Sequence, residues 1–181
     1  MNGLGALLGQ SGDLPGAIAR FKGAIEATPD YPDALNNLGY AFLQSSRDSE
    51  ALPLFEKALA LQPDFAEAYN NLGIHAARQG DRQQAEARFR QAVAARASYG
   101  EAANNLALVL VARGDVPGAI SVLQRVIEQN PDFEMAYVTL ARVYLSAGQA
   151  REGAAALERL LAKNPKNPLA LQMVEQLRAG R

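Results

Sequence analysis

The stretch Asn36-Asn37-Leu38-Gly39-Tyr40 returns at a constant interval along the chain. It recurs as Asn70-Asn71-Leu72-Gly73-Ile74, then as Asn104-Asn105-Leu106-Ala107-Leu108, and in weaker form as Val138-Thr139-Leu140-Ala141-Arg142. Upstream, Leu4-Gly5 falls on the same register, and each step is 34 residues without insertion. A second marker keeps the step at Pro29, Pro63, Ala97, Pro131 and Pro165. A fixed period of this length, with apolar residues at helical spacing in each half, specifies a helix-turn-helix unit stacked into an all-α solenoid.

Within one period, Ala34, Leu35, Leu38, Gly39 and Phe42 make the apolar stripe of a first helix, and Ala51, Leu52, Phe55, Ala58 and Leu59 that of a second. A polar turn separates them, and Pro63 stops the second helix. Gly39 and Ala51, then Gly73 and Ala85, are small enough to let paired helices approach closely. Gly12-Asp13, Gly80-Asp81 and Gly114-Asp115 each place a helix-ending glycine before an N-cap aspartate. Pro15 and Pro117 stand in a first turn, where a missing N–H costs little. Pro53 stands about a turn inside its helix, so an irregular or delayed start is predicted there.

Composition narrows the function. The 181 residues are 49% apolar and 20% charged with a net charge of -1, so a core is available and no basic excess points to nucleic acid. Cysteine is absent and His75 is the only histidine, so neither a disulfide nor a metal cluster is expected, and no cofactor. No phosphate loop, nucleophile elbow or facing carboxylate pair is present, which argues against catalysis. Neither a leader nor an apolar run of about 20 residues is read, so no membrane insertion is expected and a cytoplasmic location is favoured.

The repeat resembles the tetratricopeptide repeat (TPR) family. One period supplies the signature residues Leu38, Gly39, Ala51, Phe55, Ala58 and Pro63, and the next supplies Leu72, Gly73, Gly80, Ala85, Phe89 and Ala92. Ser46 replaces the turn glycine, Ala97 the terminal proline and Gly153 an early alanine of the second helix. The resemblance implies a right-handed α-solenoid of antiparallel helix pairs over residues 1–181. It would comprise a truncated first repeat over 1–31 with Met1 in the first turn of its helix, and full repeats over 32–65, 66–99, 100–133 and 134–167. A capping helix and tail over 168–181 would follow, with Leu171 and Val174 on one side.

In this family the first helix of each pair lines a concave groove. The resemblance therefore places Asn36, Asn37, Asn70, Asn71, Asn104 and Asn105 there, with Tyr40, Ile74, Leu108 and Arg78. Asn37, Asn71 and Asn105 would form a row of amides able to pair with peptide units, similar to the asparagine ladder in the TPR superhelix of a glycosyltransferase. Gly3 and Thr139 do not extend that row; the alternative role for these amides is local stabilisation. Tyr40, Ile74 and Leu108 would add an apolar strip, or pack against the neighbouring helix. Asp33, Glu67 and Glu101 make an acidic edge at helix N-termini. The carboxylate clamp of chaperone-binding TPR proteins is not matched, since Arg78 and Arg142 stand alone. The expected function is a non-catalytic module holding a peptide or helical segment of a protein partner. The alternatives are the recruiting arm of a larger enzyme, such as a glycosyltransferase, and self-association through the N-terminal end.

Overall fold

The computed structural model describes residues 2–179, and among them it holds eleven α-helices and no strand. The helices gather into two units, one up to Ala95 and one from Arg96. The first contains α1 (Asn2–Gln10), α2 (Leu14–Ala27), α3 (Pro32–Gln44), α4 (Asp48–Leu61), α5 (Ala66–Arg78) and α6 (Arg82–Ala95). The second contains α7 (Gly100–Arg113), α8 (Val116–Gln129), α9 (Glu134–Ser146), α10 (Ala150–Lys163) and α11 (Pro168–Ala179). Helices α3, α5, α7, α9 and α11 start 34 residues apart, and so do α2, α4, α6, α8 and α10, so the sequence period is the structural period. Met1, placed by the sequence in a first helical turn, lies outside the described residues, as do Gly180 and Arg181 of the expected tail.

One turn closes every pair. Gly12, Gly80, Gly114 and Gly148 take φ between 75° and 89°, a region where a Cβ crowds the following carbonyl. Ser46 adopts the same left-handed conformation at φ 57°, the only non-glycine to do so among the described residues. The aspartate after the turn then caps the next helix: Asp13, Asp81 and Asp115 accept from the backbone N–H of Gly16, Gln84 and Gly118, each at 2.9 Å. Pro53 does not delay its helix, contrary to the sequence expectation. Helix α4 starts at Asp48, on the period. The carbonyl left without a donor belongs to Ser49, which is exposed along with Pro53, so solvent satisfies it.

The helices of a pair meet through a glycine and a phenylalanine 16 residues apart. A Cβ built on Gly5, Gly39 or Gly73 would lie 2.6–2.7 Å from the ring of Phe21, Phe55 or Phe89 respectively. All three rings are buried, each worth about 2–3 kcal/mol of transfer free energy. In the second unit the same two positions read Ala107 with Leu123 and Ala141 with Leu157, all four fully buried. A methyl gained on one helix is matched by a smaller side chain on the other, which conserves volume in a close-packed interior.

Helix α11 packs against α10, but not by the face expected. Ala170 and Met173 are buried, Leu171 is exposed and Val174 half-buried. The rotation is set at its N-terminus. Asn167 caps Ala170 through Oδ1 at 2.9 Å and donates through Nδ2 to Glu134 of α9 at 2.7 Å, while Asn164 donates to the same carboxylate at 2.8 Å.

Candidate partner-binding face

The repeated asparagine pair places two amides at adjacent positions, about 100° apart on the helix. The structure joins them diagonally between successive first helices, at a separation of 35 residues rather than 34. Asn71 Nδ2 donates to Asn36 Oδ1 at 2.9 Å, between side chains that are only 6% and 5% exposed. Asn37 Nδ2 donates to Asn2 Oδ1 at 3.1 Å, and Asn2 in turn donates to the Tyr31 hydroxyl at 3.3 Å. In the second unit the Thr139 hydroxyl donates to Asn104 Oδ1 at 2.6 Å. Asn2 and Thr139, neither of which the sequence reading included in the row, thus extend the inter-helix ladder. The signal was present in the sequence as a polar residue 35 positions from an asparagine. Reading the row strictly at 34 conceals it.

The remaining candidates divide by exposure. Asn70 is buried, while Asn37, Asn104 and Asn105 are half-buried. Tyr40 is 42% exposed and its hydroxyl accepts from Gln44 Nε2, one turn further along α3. Asn37, Tyr40 and Gln44 follow a spacing of three and four and so share one accessible stripe. Ile74 instead packs onto the core of the first unit. Leu108, in the second unit, is 52% exposed. Arg78 is committed to α3: Nη1 donates to the Leu43 carbonyl at 2.9 Å and Nη2 to Gln44 Oε1 at 3.3 Å, where a cation also meets the negative end of a helix. Asp33, Glu67 and Glu101 lie in the first turns of α3, α5 and α7, where their charge complements the helix dipole.

His75 of α5 places its Nδ1 3.5 Å from Oδ2 of Asp48 on α4, and Asp48 accepts from Gln79 Nε2 at 3.1 Å. Among the described residues no group of three His, Cys, Asp or Glu gathers in a metal-binding arrangement, and no helix is long and apolar enough to cross a membrane.

Comparison with known proteins agrees with this geometry. Two family models, both described as tetratricopeptide repeat, match the chain, one over residues 110–177 and the other over 2–66, 49–81 and 70–132. Among solved structures, the chain is similar to TTC0263, a thermophilic TPR protein in Thermus thermophilus, with 23% identity, 98% of this chain and 97% of that one covered, and a TM-score of 0.72. It is similar to MamA at 27% identity, with 90% and 95% covered and a TM-score of 0.69. YrrB, described as a TPR protein with an unusual peptide-binding site, has 22% identity, 96% and 90% covered and a TM-score of 0.64. No curated protein sequence matches the chain. The helix-pair fold is that of a protein–protein interaction module. By its period, its turns, its glycine–phenylalanine contacts and the models that match it, the chain belongs to the tetratricopeptide repeat family.

Proposed function

We propose that the first unit holds an extended segment of a protein partner along the first helices of its pairs, without catalysis. The observation that carries this reading is the accessible stripe of α3, where a half-buried amide, Asn37, stands beside an exposed aromatic, Tyr40, whose hydroxyl is oriented by Gln44. Asn37 uses one N–H on Asn2; the amide has a second N–H and an oxygen with further lone-pair capacity, the groups that a peptide unit needs. Tyr40 supplies a flat apolar surface with few rotatable bonds, which lowers the entropy cost of contact. YrrB, similar in fold, is described as having a peptide-binding site, in keeping with this reading. The test is capture on a peptide array by the wild type and by Asn37→Ala/Tyr40→Ala, with matched helicity. Loss of capture by the folded variant supports the groove, and equal capture by both refutes it.

A second reading, association of two copies through α1, is favoured by Leu4 and Leu7, which are 47% and 63% exposed on a helix that carries no charged side chain. It predicts a mass that grows with concentration and that Leu7→Glu holds at the monomer.

A further inference from the structure

The two junctions between first helices in this unit are built differently. Between α1 and α3 the chain leaves a cavity of about 530 Å³, floored by Leu14 and Phe21 of α2. Its walls are small: Ala6 and Gly9 on α1, and Ala41 on α3. One period later, at the α3–α5 junction, those three positions carry Tyr40, Leu43 and His75. Leu43 is fully buried there, His75 lies against Asp48, and Arg78 crosses to the Leu43 carbonyl; the residue matching Arg78 at the first junction is Gln44. The first junction is therefore opened by sequence, through small side chains where the second has large ones.

We infer that this cavity is a subsite for one uncharged apolar side chain of the partner peptide, aromatic or branched aliphatic. The inference rests on the groove reading above and adds its specificity. Among the described residues no charged side chain lines the cavity, so an Asp or Lys entering it would lose hydration and meet no counter-charge from them. The apolar floor and walls reward burial of a hydrophobic group, and the volume falls within the roughly 300–1,000 Å³ of small-ligand clefts. Asn37, Tyr40 and Gln44 stand at the rim, where they can hold the peptide backbone while its side chain enters. A Cβ built on Gly9 would meet, among the described residues and within 4 Å, only Ala17 Cβ at an ordinary 3.8 Å, so a larger side chain can stand there without a backbone clash.

The chain contains no tryptophan, so a tryptophan in a peptide reports binding without background from the protein. The probes are short blocked peptides of Ser, Asn and Gly with one central Trp, Leu, Gly, Asp or Lys, the last four read by competition against the first. The Trp and Leu peptides are expected to bind about tenfold or more tighter than the Gly, Asp and Lys peptides. Gly9→Leu installs the residue that the second junction carries at Leu43. It is expected to reduce Trp-peptide binding to the level of the Gly peptide while keeping or raising the melting temperature, since leucine is the better helix former. Equal binding of all peptides by the wild type, or undiminished Trp-peptide binding by Gly9→Leu, overturns the subsite and leaves the groove standing. Failure of every peptide to bind overturns both. If Gly9→Leu instead converts a dimer to a monomer with no effect on peptides, the occupant is a second copy and the inference is wrong.

Discussion

Replacing Gly39 by alanine will weaken the first unit, although alanine is much the better helix former. The added Cβ would stand 2.7 Å from Phe55 Cε1 and 3.0 Å from Cζ. Carbon atoms settle at roughly 3.5–4.0 Å, so the ring or the whole of α4 must retreat by about 1 Å. Phe55 is fully buried and cannot swing aside into empty space. Overpacking of this kind costs about 1–3 kcal/mol, and exchanging glycine for alanine in a helix returns about 1 kcal/mol. The net is a loss of about 1 kcal/mol, or roughly 2–4 °C in melting temperature for a chain of this size. Phe55→Leu alone leaves a small void and costs about 1 kcal/mol. The double variant recreates the pair present at Ala107 and Leu123, so the two changes should couple favourably by about 1 kcal/mol or more. Urea unfolding followed by circular dichroism on the four proteins measures this cycle. A stabilising Gly39→Ala, or strictly additive effects in the double variant, would refute the reasoning.

Three further outcomes are expected. Asn71→Leu strands the Asn36 carbonyl at a site only 5% exposed and should cost about 1–3 kcal/mol, while Asn36→Leu/Asn71→Leu should recover part of that loss; a double variant worse than the single would exclude a simple amide bridge. Ser46→Gly relieves a left-handed residue whose strain is about 1–2 kcal/mol and should raise the melting temperature despite the added chain entropy, and a fall would show that the serine side chain holds the turn. Asp115→Ala removes the cap on Gly118 N–H and should lower unfolding free energy by about 1 kcal/mol, which equal urea midpoints with an unchanged denaturant slope would contradict.

The candidate face was only half legible before folding. The family resemblance, with which helical spacing agrees, put Tyr40 and Asn37 on one face, and both are accessible there. Ile74 and Arg78 occupy positions with the same periodic logic, yet one joins the core and the other binds the end of α3. Nothing within α5 distinguishes these fates, because each depends on the side chains that α3 presents from a full period away. The face of α11 went astray for a similar reason. Its sequence offers several apolar residues around the helix, and the choice of Ala170 and Met173 follows from Asn167 being anchored to Glu134.

Local chemistry, repeated, was enough to establish the helix pairs. Glycine in the turn, aspartate after it, proline at helix starts and ends, and apolar residues at helical spacing each act over a few residues, so a linear reading captures them. The match of small residue to ring was half visible, since Gly39 announced close approach but did not say that Phe55 would fill it. Three-dimensional packing alone selected the diagonal pairing of Asn36 with Asn71 and opened the cavity between α1 and α3. Both arise where side chains of one period meet those of the next. Their outcome depends on the rotation and volume of two helices at once, a quantity carried by neither stretch of sequence alone.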